Sequence, residues 1–265
     1  PVSLPTMTLD CLLFLQIIFG SVLLQWLLGA ILVCFCETWL TIRILKRYGS
    51  DTRSSHQYFS VADFVTLGRG ALAACVAGFL FLPKPVGWNA WLPGSLYLLA
   101  VLADYFDGYL ARLHDSASEF GAALDRNFDA IITLIGSLLG ILYGHLPMWY
   151  FTVGLAFYIF SFSVWIMKKS GSEVFDLSAS NYRRIVGGSN AVFIGLALTP
   201  ALSVPWLSLL ATLFTFLILA GFLRDWFSIT GVCVYLRQGF GRQIAPPPAK
   251  LLESCLHAFV VRYLA

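Results

Sequence analysis

Seven apolar stretches, most of them long enough to cross a bilayer, divide this 265-residue chain: roughly 11–35, 61–83, 91–113, 122–144, 147–167, 185–201 and 204–225. A hydrocarbon core about 30 Å thick is crossed by about 20 helical residues, and inside it every backbone N–H and C=O must find a partner within the protein. Those two demands leave helix bundles and closed barrels, and stretches of this length and apolarity read as helices. The expected fold is therefore all-α, a polytopic membrane helix bundle. Composition agrees, since 58% of residues are hydrophobic, 12% are charged and mean hydropathy is +0.79, unlike a soluble domain.

The same numbers exclude other classes. A net charge of +3 without a dense basic tract gives no reason to expect a nucleic-acid partner. Cys11, Cys34, Cys36, Cys75, Cys233 and Cys255 lack zinc spacing and read as ordinary buried thiols. The chain opens on Pro1 rather than Met, which fits a longer native chain. Stretch 11–35 is too long for a signal-peptide core and has no A-x-A site after it, so it reads as a retained helix with no chemical residues, for packing or anchoring. "GFGRQIAPPPAK" ends the last helix, and "LLESCLHAFVVRYLA" beyond it suits the membrane surface or the start of a further module.

Lysines and arginines set the orientation. If the first helix ends in the cytoplasm, Arg43, Lys46, Arg47, Arg53, Arg112, Arg126, Lys168, Lys169, Arg183, Arg184, Arg224, Arg237 and Arg242 all fall on that side, and only Lys84 falls on the other. By the positive-inside rule the expectation is a multi-pass protein of a plasma (bacterial inner) membrane, with the third and fourth stretches joined on the cytosolic side.

That junction holds the chemistry. "DYFDGYLARLHDSASEFGAALDRNFD", residues 104–129, sets four aspartates in otherwise apolar sequence. Asp104 and Asp107 lie at i and i+3, with Gly108, Ala111 and Arg112 continuing the stripe. Gly121, Asp125 and Asp129 are spaced i, i+4 and i+8 on the next helix. In a hairpin the stripes face each other and four carboxylates converge. A central intramembrane acid costs about 2.5–3.5 kcal/mol, so four total on the order of 10 kcal/mol, comparable to the stability of a whole domain. Arg112 is the obvious internal neutraliser, with Arg126 at the edge. Divalent cations are the natural remaining counter-charge, and hard oxygen ligands select Mg²⁺, Mn²⁺ or Ca²⁺. Asp115 and Glu119 in the loop read as solvated.

The pattern Asp104-x2-Asp107-Gly108-x2-Ala111-Arg112-x8-Gly121-x3-Asp125-x3-Asp129 resembles, at every fixed position, the signature of the CDP-alcohol phosphotransferases, integral membrane enzymes of phospholipid synthesis. Upstream, "DFVTLGR" resembles the family's N-x2-T-x2-R, with Thr66 and Arg69 matching and Asp63 standing where Asn is common. The resemblance implies a six-helix core over 59–228, an extra N-terminal transmembrane helix and juxtamembrane segment in 1–58, and a cytosolic or membrane-surface tail in 229–265. It implies attack of an alcohol hydroxyl on the β-phosphate of a CDP-linked donor, with CMP leaving. Asp104, Asp107 and Asp125 would be metal ligands for Mg²⁺ or Mn²⁺, two ions in all, and Asp129 a base that also touches metal. Asp104, Gly108, Ala111, Arg112 and Gly121 would form the nucleotide face. The donor would be a CDP-linked lipid and the acceptor an alcohol, and a homodimer among membrane lipids is carried over from the family.

Other residues leave alternatives open. Arg69 and Thr66 are candidates for substrate phosphate, and Arg69 could instead pair with Asp63 or snorkel. Arg183 and Arg184 are candidates for an anionic substrate or headgroup anchors. Arg224 pairs with Asp225 at a helix end, and His114 and His145 do not read as ligands. CDP-diacylglycerol donating to a small alcohol is the leading arrangement, and a CDP-linked small alcohol donating to diacylglycerol is the other. A divalent-cation or proton-coupled transporter is the rival from another class, and a silent scaffold a third. The transporter lacks the expected second acidic hairpin in 145–225, and the complete aspartate set argues against the scaffold.

Overall fold

A computed structural model of the chain describes residues 4–48, 61–113, 119–170, 181–202 and 204–230, with side chains described for 20–46, 68–106, 121–170, 181–202 and 205–230. These residues form α1 (Leu4–Tyr48), α2 (Val61–Gly78), α3 (Leu92–Leu113), α4 (Glu119–Leu142), α5 (Phe151–Lys169), α6 (Asn181–Ala197) and α7 (Val204–Ile229), with short 3₁₀ turns at Phe79–Phe81, Gly87–Trp91 and Met148–Tyr150. No strand occurs among the described residues. Among the described residues, three helices are long and apolar enough to cross a membrane: Gly20–Lys46, Met148–Lys169 and Pro205–Ile229. The apolar part of α2, Gly68–Phe81, is shorter. The expected third and fourth stretches carry the aspartates, and α6 opens on Asn181, Arg183 and Arg184, which lowers the apolarity of all three.

The first helix departs most from expectation. It does not stop at 35 but continues as one 45-residue helix to Tyr48. Nothing in "CETWLTIRILKRY" breaks it, since the segment has no Gly or Pro. Thr38 and Thr41 donate their hydroxyls back to the carbonyls of Cys34 and Glu37 at 2.7 and 2.8 Å, so their polar groups are satisfied on the helix itself. Cys34 and Cys36 are exposed rather than buried, because in this part of α1 only Val33 and Glu37 turn inward; Cys75 is half-buried. The side chains of Cys11, Cys233 and Cys255 lie outside the described residues.

α4 is the centre of the bundle and packs against α1, α2, α5 and α6. Its Leu139 joins Val76, Tyr97, Ile194, Leu198 and Leu207 in a fully buried core. α1 meets α2 through Gly29, where an added Cβ would lie 2.6 Å from the Ala77 carbonyl oxygen; the small residue lets the backbones approach, as membrane interfaces favour. Large apolar side chains point outward instead, among them Leu24, Ile31 and Phe35 of α1 and Phe216 of α7. Such surface suits lipid.

The two ends of the bundle differ in chemistry. At the end where α1 and α5 finish, the Arg43 guanidinium lies 5.2 Å from the Trp39 ring centre and Lys169 lies 5.0 Å from Trp165. At the other end Trp88, Trp91 and Trp149 are exposed, Lys84 donates to the Tyr143 carbonyl at 3.0 Å, and Gly144 ends α4 at φ +71°. Aromatic girdles with cations beside them mark membrane–water interfaces. His145 Nδ1 sits 2.7 Å from the Ala197 carbonyl and ties the α4–α5 turn to the end of α6. Burial holds this imidazole below its ordinary range, the Lys84 charge adds to that, and the bond to Ala197 opposes it.

Candidate active site

Asp104 is carried by α3, and Asp125 and Asp129 lie one turn apart on α4. The two helices bring these three carboxylates together, with one oxygen from each within 4.8 Å of the others. The expected convergence therefore holds for three aspartates. The side chain of Asp107, the fourth, lies outside the described residues, as do those of Thr66, Asp63, Gly108, Ala111 and Arg112. Gly121 sits half-buried near the start of α4, two turns before Asp129.

Among the described residues, the cation at the centre is Arg69, from α2. One terminal nitrogen of Arg69 hydrogen-bonds Asp104 Oδ1. The other donates to Asp125 Oδ1 at 2.5 Å and to the Asp125 carbonyl at 3.3 Å, and lies 3.4 Å from Asp129 Oδ1. Sequence spacing pointed to Arg112 because it shares the hairpin, whereas Arg69 reaches the aspartates across 35 residues of chain. It does not snorkel: its side chain is 2% exposed, against 41%, 40% and 51% for Asp104, Asp125 and Asp129. Arg69 thus holds the acids from the buried side, and their other side is open. An all-carboxylate donor set at this spacing fits a hard divalent cation on the open side.

A second charged group was missed. Glu37 of α1 is buried to 6% exposure and interacts electrostatically with Arg69. Its Oε2 lies 2.9 Å from where a Cβ on Gly70 would stand, and Phe128 of α4 lies 2.8 Å from the same point. Gly70 is therefore what lets the Glu37 carboxylate reach α2 beside Arg69. Glu37 Oε1 has no hydrogen-bond partner. The signal in the sequence was a lone acid in "FCETWL", just beyond the stretch drawn as the span.

The basic candidates at the same end divide. Arg183, in the first turn of α6, donates to Asp225 Oδ2 of α7 at 3.0 Å, and Arg224 donates to Asp225 Oδ1 at 2.9 Å. Asp225 is 5% exposed, so this pairing fastens the start of α6 to the end of α7. Arg224 also lies 5.2 Å over the Tyr182 ring. Arg184 is exposed.

Comparison with known proteins gives the same picture. Residues 59–218, more than half of the chain, match the profile of the CDP-alcohol phosphatidyltransferases. A CDP-diacylglycerol–glycerol-3-phosphate 3-phosphatidyltransferase of Cereibacter sphaeroides is 36% identical over 92 residues, which cover 34% of this chain and 41% of that one. The protein of the same name from Escherichia coli K12 is 30% identical over 98 residues, covering 37% and 52%. The chain thus spans about half the length of the curated relatives it matches. With the matched segment running from α2 into α7 and enclosing Arg69, Asp104, Asp125 and Asp129, the chain belongs to the CDP-alcohol phosphatidyltransferase family.

Proposed function

We propose that this protein transfers a phosphatidyl group from CDP-diacylglycerol to an alcohol hydroxyl and releases CMP. Glycerol 3-phosphate is the first acceptor to consider, because it appears in the names of both relatives. The observation that carries the reading is the convergence of Asp104, Asp125 and Asp129, braced by buried Arg69 on one side and open on the other.

Asp104, Asp107, Asp125 and Asp129 are the proposed ligands for Mg²⁺ or Mn²⁺, two ions in all. Bound metal would supply neutralisation of the charge that develops on the diphosphate oxygens. Asp129 is the most exposed of the three described acids. It is the proposed base that accepts the alcohol proton. Gly108, Ala111, Arg112 and Gly121, with Asp104, form the proposed nucleotide face. Arg69 serves by fixing the carboxylates rather than by meeting phosphate. Arg183 and Arg184 are proposed for the acceptor phosphate; the tie to Asp225 would hold Arg183 in place, and headgroup anchoring is their other use.

In this reading α2–α7 form the six-helix core within 59–228, α1 is an added transmembrane helix, and 229–265 is a surface tail. The protein sits in a bacterial inner membrane as a homodimer with the site toward the cytoplasm, where a lipid and a water-soluble reactant can both arrive. The Trp–cation pairs at the site's end of the bundle support that placement.

The test is CMP release by the purified protein in liposomes containing CDP-diacylglycerol, with Mg²⁺ or Mn²⁺ and a panel of alcohols. Release should require metal and one acceptor, and Asp129→Asn should abolish it. Release only from a CDP-linked small alcohol with diacylglycerol would reverse the donor arrangement. Silence under both conditions, with metal still bound, would favour a cation-coupled transporter or a scaffold.

A further inference from the structure

We infer that α1 is part of the scaffold of the aspartate site: Ile44 and Leu45, near its C-terminal end, are positioning residues that seat the turns of α4 carrying Asp125 and Asp129. The inference rests on the metal-site reading given above and gives a role to a helix that lies wholly outside the matched family segment.

α1 docks along one stripe. Trp26, Gly29, Val33, Glu37, Ile44 and Leu45 are buried or half-buried at helical spacing, while Leu28, Ile31 and Phe35 face outward. The first part of the stripe meets α2, where Gly29 lies against Ala77 and the Trp26 ring takes the space a Cβ on Gly78 would need. A membrane anchor would be complete with that contact. The helix instead runs unbroken to Tyr48, and its continuation carries the stripe past Gly70 of α2 and on to α4.

On α4 the residues that turn inward are the immediate neighbours of the acids. Leu124 precedes Asp125 and is 1% exposed, and Phe128 precedes Asp129 and is 2% exposed. They form an apolar cluster apart from the main core. Among the described residues, Ile44 and Leu45 are the apolar side chains of another helix packed against it. Phe128 also closes on Gly70: its ring lies 2.8 Å from where a Cβ there would stand, and Glu37 Oε2 lies 2.9 Å from the same point. Three helices thus meet at the residue after Arg69. Because neighbouring residues of a helix move as one rigid turn, the depth at which Leu124 and Phe128 seat on α1 sets where Asp125 and Asp129 stand relative to Asp104 of α3. A binding constellation tolerates shifts of only about 0.5 Å, and the oxygens here lie within 4.8 Å of one another. Truncating the side chains on which those turns rest would loosen the site without touching a ligand.

The test is Mn²⁺ binding by electron paramagnetic resonance on the detergent-purified full chain, in the cold and well below its melting temperature, with thermal unfolding in EDTA alongside. Leu45→Ala should weaken Mn²⁺ binding about tenfold, the lower end of what losing a residue behind the ligands costs, and Ile44→Ala by a comparable factor. Ile44→Val, the mildest truncation, should act in the same direction by a smaller factor. Leu45→Met keeps the volume and should stay within about threefold of wild type. Val33→Ala is the control for general softening: Val33 is buried in the main core, about 18 Å along α1 from Leu45 at a rise of about 1.5 Å per residue. It should lower the melting temperature in EDTA yet leave Mn²⁺ affinity within about threefold of wild type, since sites this far apart act independently. Unchanged Mn²⁺ affinity in Leu45→Ala and Ile44→Ala, equal weakening by Leu45→Ala and Leu45→Met, or a loss in Val33→Ala as large as theirs would each overturn the inference. If wild type itself bound no Mn²⁺, the metal reading of the cluster would fall, and this inference with it.

Discussion

Replacing Arg69 by glutamine probes the site most directly, because one side chain braces three acids. Arg69→Gln removes the guanidinium but leaves Asp104, Asp125 and Asp129 in place. Breaking a buried ion pair by deleting one partner costs about 3–5 kcal/mol. Here the partners are 40–51% exposed, so water takes over part of their solvation and the expected loss falls to about 2–3 kcal/mol. Mutual repulsion points the same way. Two unit charges 4.8 Å apart, the limit of the cluster, repel by roughly 3.5 kcal/mol at an effective dielectric constant of 20. The assay is thermal unfolding in detergent. In EDTA the mutant should melt roughly 4–12 °C below wild type, taking about 2–4 °C per kcal/mol. Saturating Mn²⁺ should narrow the gap, because in the mutant the bound cation replaces the charge that Arg69 supplies in wild type and so stabilises the mutant more. Equal melting of the two proteins in EDTA, or a gap that widens with Mn²⁺, would refute the reasoning.

Two further outcomes test the frame around the site. Tyr150 donates to Asn190 Oδ1 at 2.5 Å with both residues buried, so Tyr150→Phe should cost about 1–3 kcal/mol in chemical denaturation by stranding the amide oxygen, without changing Mn²⁺ affinity. His145 is held below its ordinary value of 6.5 by burial, so the unfolded chain takes up the proton first as pH falls. Its contribution to stability is complete above about pH 6.5 and is lost as pH falls through the lower folded value; His145→Gln should flatten the decline in melting temperature between pH 7.5 and pH 5, and an unchanged acid limb would show the turn to be indifferent to the imidazole.

The helices were legible because lipid leaves few choices. The stretch expected at 91–113 is α3 at Leu92–Leu113, and that at 122–144 is α4 at Glu119–Leu142. Where lipid does not set the limit, legibility fails: α1 runs on to Tyr48 because a helix outside the hydrocarbon ends only where its own sequence stops it. Asp125 and Asp129 could be placed side by side from i, i+4 spacing alone, and Asp104 could be set opposite them by a hairpin. Arg69 could not, since its pairing depends on how α2 leans against α3 and α4. The same holds for Arg183 and Asp225, 42 residues apart, since the sequence paired Asp225 only with its neighbour Arg224. Glu37 was hidden by a boundary drawn two residues too early.

The position of Arg69 also bears on how many cations the site can take. Asp104, Asp125 and Asp129 with the proposed ligand Asp107 make four acids, and Arg69 offsets one of them, which leaves more negative charge than a single divalent ion matches. A second ion is favoured further when more negative charge enters the site, and the reaction proposed for it brings that charge as a diphosphate. A second ion and the donor would then each bind more tightly with the other present, by the same factor in both directions.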